Sequence, residues 1–370
     1  MPLPRVAVDL RALVPAPTGI GVYTRSLLLA LAGRHGMRYV GMAHRPPREA
    51  GELEAAGIDI EHHPAPLGGV WQQLRLPRRL KRGDVDLLWS PLITLPLRCP
   101  VPAVVTVHDL TALLFPEAHT LKVRWSLLPF LRPSFEQARR LVAISAATAR
   151  DLAFHFPQCA EKVQVVYPGI DPEFRPAAPE EIAATRRELG APEGYILYAG
   201  TLEPRKNVGA LIDAWELLRA EDAQTPPLVL AGPYGWGSER LARRIAELQK
   251  DGLLSFGRVE RSRLVRLFQA ARIFVYPSLY EGFGLPAAEA LACGVPVVAS
   301  NTSSLPEVVG DAGLLADPGD AGALAARIQT LLADPGRAAE LAARGIERAA
   351  RFRWERAARE MEEVFREALG

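Results

Sequence analysis

Strand-length apolar runs alternate with helix-length amphipathic segments along nearly all of this 370-residue chain. A strand buried on both faces reads as a continuous apolar run, and parallel strands must be joined by long crossovers, which helices supply. The pattern therefore predicts an α/β fold of parallel sheets with helices on both faces. Two series of strands are visible. The first includes residues 6–10, 85–89, 103–107, 141–144 and 163–167, and the second 195–199, 228–231, 253–256, 273–276, 295–299 and 313–316. Between them Pro168-Gly169-Ile170-Asp171-Pro172-Glu173-Phe174-Arg175-Pro176-Ala177-Ala178-Pro179 carries four prolines and continues neither helix nor sheet. The chain exceeds the usual size of a single core, so this segment is read as a linker between an N-terminal domain, 1–172, and a C-terminal one, 173–350. After Asp334-Pro335-Gly336 the sequence reads as helical to Gly370, with Phe352 and Trp354 as apolar anchors among arginines.

Composition excludes several classes of function. No apolar run is long enough to span a bilayer, and Met1-Pro2-Leu3-Pro4 leads straight into Val6-Ala7-Val8 without a signal-peptide pattern, so a cytoplasmic protein is expected. Cys99, Cys159 and Cys293 are odd in number and far apart, which argues against a disulfide framework and a zinc site. The net charge of +2 is too small to imply nucleic acid, but it is unevenly divided: residues 1–172 carry 20 Lys and Arg against 14 Asp and Glu, the remainder 24 against 28. Trp71-Gln72-Gln73-Leu74-Arg75-Leu76-Pro77-Arg78-Arg79-Leu80-Lys81-Arg82 packs five of those cations among apolar residues. It reads as a solvated basic face or as a peripheral contact with anionic lipid, although Pro77 interrupts a long amphipathic helix.

Chemistry concentrates after the predicted strands. Glu281 and Glu289 lie eight residues apart in Glu281-Gly282-Phe283-Gly284-Leu285-Pro286-Ala287-Ala288-Glu289. Gly282 and Gly284 read as a loop, Leu285-Pro286 as a helix start and Gly294 as its stop. Loops that follow parallel strands open at the carboxyl edge of the sheet, where α/β proteins bind ligands. Two carboxylates beside helix-start N–H groups suit a polyhydroxylated, phosphorylated molecule such as a nucleotide sugar. In Ala199-Gly200-Thr201-Leu202-Glu203-Pro204-Arg205-Lys206-Asn207 two cations precede a helix near Val208. The helix dipole disfavours positive charge there by about 0.3 to 1 kcal/mol, so Arg205 and Lys206 are explained either as a solvated pair or by a bound anion such as a diphosphate.

In the first domain, Pro15-Ala16-Pro17-Thr18 leads into Gly19-Ile20-Gly21-Val22-Tyr23 and an apolar helix, the outline of a glycine-loop phosphate site. Thr24 stands where a dinucleotide fingerprint needs a third glycine, and a tight turn would also explain Gly19 and Gly21. His108-Asp109 follows the strand at 103–107, so His108 is placed to bond a sugar hydroxyl, to move a proton, or to serve structure. Asp84-Val85-Asp86 resembles a metal-binding pair but precedes its strand and belongs to the opposite edge.

With these residues together, the chain resembles the retaining GT-B glycosyltransferases with an E-x7-E motif, glycosyltransferase family 4, and its N-terminal stretch is most similar to the mannosyltransferase-like branch. The similarity runs from end to end. It implies two Rossmann-like domains facing across a cleft, the N-terminal one for acceptor and the C-terminal one for donor, with residues 351–370 a helix returning to the first. It further implies that Arg205 and Lys206 bind the donor diphosphate, that Glu281 meets the transferred hexose and Glu289 the ribose, and that His108 lies on the far side of the sugar. Gly19, Gly21, Gly200, Gly282, Phe283, Gly284 and Leu285 match the donor-binding loops. The resemblance implies no cofactor and no metal, a donor such as GDP-mannose or a UDP-hexose, and a glycan, lipid-linked or small-molecule acceptor. A nucleotide-sugar epimerase, a pyridoxal-phosphate phosphorylase of similar fold and a non-catalytic sugar-binding module are the alternatives.

Overall fold

The computed structural model describes residues 2–14, 18–116, 121–191 and 193–370, with backbone alone for 121–126. The predicted loop Pro15-Ala16-Pro17 lies outside the described residues. The chain divides into two compact units, Met1–Gly169 with Arg353–Gly370, and Ile170–Phe352.

The first unit is built on seven parallel strands: β1 (Arg5–Asp9), β2 (Arg38–Ala43), β3 (Asp59–His62), β4 (Leu87–Ser90), β5 (Ala103–Val107), β6 (Arg140–Ala143) and β7 (Val163–Val165), in the order β3-β2-β1-β4-β5-β6-β7. The second has six parallel strands: β8 (Ile196–Ala199), β9 (Leu228–Ala231), β10 (Leu253–Ser255), β11 (Ile273–Tyr276), β12 (Val297–Ser300) and β13 (Gly313–Ala316), in the order β10-β9-β8-β11-β12-β13. Each sheet reverses its winding beside its first strand, between β1 and β4 and between β8 and β11. Those reversals leave a crevice at the carboxyl ends, the place in such sheets where ligands bind.

The apolar runs at 103–107, 228–231, 273–276 and 313–316 are strands with those bounds. β2 and β3 escaped the pattern for physical reasons. β2 contains Gly41, whose absent side chain makes room for Leu10, since a Cβ there would lie 2.3 Å from Leu10 Cδ1. β3 is an edge strand of mostly polar residues, none of them fully buried.

Helix α1 (Gly19–Ala32) follows β1, α2 (Val208–Glu221) follows β8 and α3 (Leu285–Ala292) follows β11. The helical C-terminus breaks at Phe352, and its last helix, α4 (Trp354–Leu369), belongs to the first unit. Its buried residues Ala357, Ala358, Met361, Val364, Phe365 and Ala368 form one stripe, the spacing of a helix with one apolar face. Phe365 meets Trp89 of β4 at 5.8 Å between ring centroids. Buried Glu362 accepts bonds from Arg34 Nε at 2.6 Å and Arg366 Nη2 at 2.9 Å, so the charge is paired inside the seam. No helix among the described residues is long and apolar enough to cross a membrane.

Candidate functional site

In the second unit, the loops after β8 and β11 meet at the winding reversal. Gly200 leaves β8 at φ +150°, and the neighbouring loop's Gly232, at φ +155°, approaches so closely that a Cβ on it would lie 1.9 Å from Gly200 O. Only glycine fits there. Pro204–Lys206 forms a single 3-10 turn, and Asn207, left-handed at φ +56°, stops it and opens α2. The Asn207 amide donates to Pro277 O at 3.1 Å and Pro318 O at 2.7 Å, binding this loop to its neighbours.

That turn aims both cations at Glu281. Lys206 Nζ donates to Glu281 Oε1 at 2.5 Å and to Tyr276 OH at 3.0 Å. Arg205 Nη1 donates to Tyr280 O at 2.6 Å and lies 3.6 Å from Glu281 Oε2, while its Nη2 reaches Glu203 Oε1 at 2.7 Å. The two cations are therefore not a solvated pair on an exposed turn, because Glu203 and Glu281 supply counter-charge within the chain. Burial pushes the Glu281 carboxyl up, but Lys206 and Arg205 outweigh it and hold the group below the ordinary carboxylate range. Ser278 Oγ also donates to Oε1, at 2.5 Å. Glu281 Oε1 is thus occupied by two donors, and Oε2 is the oxygen with room for a further hydroxyl.

Three serines hold this loop, and they were not singled out from the sequence. Ser303 Oγ accepts from Glu281 N–H at 2.7 Å and donates to Glu281 O at 2.6 Å; Ser304 Oγ donates to Glu281 O at 3.0 Å and Phe283 O at 2.8 Å. Ser278 precedes the glutamate by three positions. Ser303 and Ser304 follow β12, the strand beside β11, so the carboxyl-edge rule applied to that strand would have found them.

Gly282 and Gly284 break the chain between the two glutamates. Gly284, at φ +95°, sits where a Cβ would come within 2.6 Å of Leu305 Cδ2, and it stands immediately before α3. Phe283 turns inward and packs edge-on to Phe352, with centroids 5.2 Å apart, so its ring serves the core. Leu285 is half-buried at the first position of α3. Glu289 lies further along α3, half-buried, and its carboxylate makes no hydrogen bond among the described residues. Burial, reinforced by Asp171 and opposed by Arg261, raises its pKa to about 7. The two carboxylates therefore differ in kind. Glu281 is ionised and clamped, whereas Glu289 titrates near neutrality with both oxygens available.

In the first unit the two glycines open a helix instead of forming a loop. Gly19 and Gly21 are the first and third residues of α1, and Gly21 N–H is taken by the Thr18 side chain at 3.2 Å. A Cβ on Gly21 would lie 3.0 Å from Ala12 O, while one on Gly19 would meet open space. Gly21 is thus explained by packing. His108 stands at the carboxyl end of β5, with Nε2 2.8 Å from Pro91 O and Tyr23 edge-on at 4.8 Å. Because a carbonyl only accepts, Nε2 carries the proton, and burial lowers the pKa of the ring. His108 is thereby a neutral imidazole with Nδ1 as its acceptor. Asp84 and Asp86, before β4, bond Arg79 and Arg5 as structural partners.

Two family models match the chain: "Glycosyl transferases group 1" over residues 181–352 and "Glycosyltransferase Family 4" over residues 17–174. The O-antigen chain mannosyltransferase B of Escherichia coli is 38% identical over 256 residues, 68% of this chain and 67% of that one. A D-inositol 3-phosphate glycosyltransferase of Nocardioides is 36% identical over 63% of this chain and 54% of its own length. A serotype-specific mannosyltransferase WbdA of Escherichia coli is 32% identical over 60% of this chain but only 28% of its own length. Among solved structures, Anabaena HepE in complex with UDP and glucose has a TM-score of 0.75 at 22% identity, covering 98% of this chain and 99% of that one. Sucrose-phosphate synthase of Thermosynechococcus elongatus has a TM-score of 0.76 at 24% identity, covering 98% of each chain. These likenesses show the GT-B fold.

Proposed function

The chain belongs to glycosyltransferase family 4, and on that premise we propose that it is a retaining, metal-independent hexosyltransferase that takes a hexose, mannose first, from a nucleoside-diphosphate sugar. The observation that carries this reading is the Lys206, Arg205 and Glu281 cluster at the winding reversal of β8 and β11. As the glycosyl–phosphate bond lengthens, negative charge grows on the diphosphate and positive charge on the sugar ring. Preorganised cations beside the diphosphate stabilise that separation, and Lys206 and Arg205 are assigned this role, with the Leu285 N–H at the start of α3, since Pro286 has none and Ala287 and Ala288 donate to Gly284 O. Lys206 has three N–H donors, of which Glu281 and Tyr276 take two.

Retention follows, in this reading, from the shortage of a nucleophile. Glu281 is bonded to Lys206 and Glu203 to Arg205, so the charge of each carboxylate is spent on these cations, which favours a front-face reaction in which the departing phosphate oxygen accepts the acceptor's proton. Glu281 Oε2 then orients the hexose, and Glu289 accepts from the ribose hydroxyls. The acceptor is assigned to the first unit, with His108 Nδ1 accepting from a sugar hydroxyl. Mannose is favoured because two of the relatives above are mannosyltransferases.

The test is a thermal-shift panel of nucleotides and nucleotide sugars, with GDP-mannose and UDP-glucose as the leading probes. A ligand at about 100 times its dissociation constant stabilises by about 2.7 kcal/mol. NMR of the anomeric proton in the product then reports retention or inversion. No stabilisation by any nucleotide sugar would remove the reading, and an inverted product would remove its mechanism.

The acceptor proposed is a lipid-linked glycan at an anionic membrane surface. Residues 68–80 are continuously helical despite Pro77, because a π turn at Trp71–Arg75 leads into Leu76–Leu80 with the proline in its first turn. Leu67, Val70, Leu74 and Leu97 are 40–61% exposed. Gln73 joins the two stretches, accepting from Leu97 N–H at 2.9 Å and donating to Leu95 O at 3.2 Å. Arg75, Arg78, Lys81, Arg82 and Arg98 are exposed nearby, and no carboxylate occurs from His62 to Gly83. Arg79 does not contribute, since it is buried between Glu61 and Asp84. Each exposed cation adds about 1 kcal/mol near an anionic surface. Cosedimentation with phosphatidylglycerol vesicles at low salt, lost in high salt, is expected; no binding at any salt would dismiss the membrane contact.

A further inference from the structure

The strand beneath the cation cluster carries a tyrosine that the glycosyl-transfer reading leaves without a role. Tyr276 ends β11 and is 1% exposed. Its ring packs nearly parallel to two neighbours, Tyr198, with centroids 5.9 Å apart and planes at 24°, and Phe274, at 5.8 Å and 25°. That stack cannot turn without moving its neighbours. Its hydroxyl is therefore a fixed point at the base of the site, where it accepts from Lys206 Nζ at 3.0 Å, with the ammonium also 5.4 Å from the ring centroid.

We propose that Tyr276 is a positioning residue for Lys206: its rigid hydroxyl and the Ser278-locked Oε1 of Glu281 hold two of the three ammonium hydrogens, so that the third is committed to the leaving diphosphate. An unrestrained lysine has four rotatable side-chain bonds and shares its charge among many orientations. Two fixed acceptors remove that freedom before substrate arrives, and preorganisation is what makes such a charge effective at a transition state. The bond that Lys206 makes with Glu281 fixes one direction only. The second, non-parallel bond to Tyr276 sets the rotation of the ammonium about the Cε–Nζ axis.

This inference rests on the reading of Lys206 as the diphosphate cation, and the experiment separates the two. The donor used is whichever nucleotide sugar gives the largest thermal shift, GDP-mannose being tried first, and release of the nucleoside diphosphate is followed. Tyr276→Phe keeps the stacked ring and loses the hydroxyl. The expected result is a fall in kcat of about tenfold or more, with KM for the donor within about twofold, because the orientation matters most as charge develops. In a Lys206→Ala background the same substitution should cost nothing further, since the group it positions is gone. An additive loss in the double variant would mark a merely structural role and overturn the proposal. Wild-type kcat in Tyr276→Phe, with Lys206→Ala inactive, would also overturn it while leaving the site reading intact. Full activity in Lys206→Ala would instead overturn the site reading and the proposal with it. Tyr276→Met, which fills a similar space without a hydroxyl, should reproduce the kcat loss if the phenylalanine variant does not fold.

Discussion

Removing the Lys206 ammonium should damage catalysis and stability through two separable routes. Glu281 is 7% exposed, with Lys206 at 2.5 Å and Arg205 at 3.6 Å as its cations. Breaking a buried ion pair from one side costs about 3 to 5 kcal/mol when nothing compensates the orphaned charge. Here Arg205 and the Ser278 hydroxyl remain, and the carboxyl can take up a proton, so a loss of about 1 to 3 kcal/mol is expected for Lys206→Ala. For a unit of this size each kcal/mol moves the melting temperature by about 2 to 4 °C, which scanning fluorimetry resolves. On the proposed role of Lys206 as a donor to the leaving diphosphate, its loss should add about 2.7 to 4 kcal/mol to the barrier, or about a hundred- to a thousandfold in turnover. Glu281→Gln in the same background removes the unpaired charge. It should restore most of the lost melting temperature and none of the lost turnover. If the double variant instead melts below Lys206→Ala, the carboxylate is not the source of the instability, and the account of the pair as a buried, mutually neutralising clamp is wrong.

Two further outcomes follow from the geometry. Glu289 has a native pKa of about 7, above its unfolded value, so its contribution to stability is full at acid pH and is lost as pH rises through neutrality. Wild type should lose stability relative to Glu289→Gln between acid and mildly alkaline pH, and nucleotide affinity should rise with pH in wild type alone; parallel pH curves for both proteins, by calorimetry and thermal unfolding, would refute this. The glycines that open α1 are distinguishable by alanine: Gly19→Ala should be neutral or stabilising by up to about 1 kcal/mol, since helix propensity improves and space is open, whereas Gly21→Ala should destabilise by pressing on Ala12 O. Equal loss of donor affinity in both, without loss of stability, would return them to a ligand loop.

Local sequence fixed a great deal of this protein because buried parallel strands leave no choice of composition. Strands open to neither face of solvent must be apolar throughout, so β5, β9 and β11 could be bounded to the residue, and glycine and proline marked the start and stop of α3. Because Arg205, Lys206 and Glu281 follow paired strands of one parallel sheet, they meet at one edge. Where identity and packing disagree with the pattern, the sequence fell short: β2 is interrupted by a glycine that makes room for Leu10, and β3 is polar because it is an edge.

Charge pairing was decided only by the tertiary structure. Arg205 and Lys206 are 75 or more positions from Glu281, and no periodicity relates them. Only the β8–β11 pairing across the winding reversal brings the loops together, which turns an apparent surplus of cations into a neutral clamp and divides two similar carboxylates into an ionised one and one that titrates near pH 7. Burial and the field of neighbours set those protonation states, and both are properties of distance in space. The residue types and their order put these groups after strands of one sheet; the fold determined which are already paired and which, such as the Glu289 carboxylate, keep their hydrogen-bonding capacity.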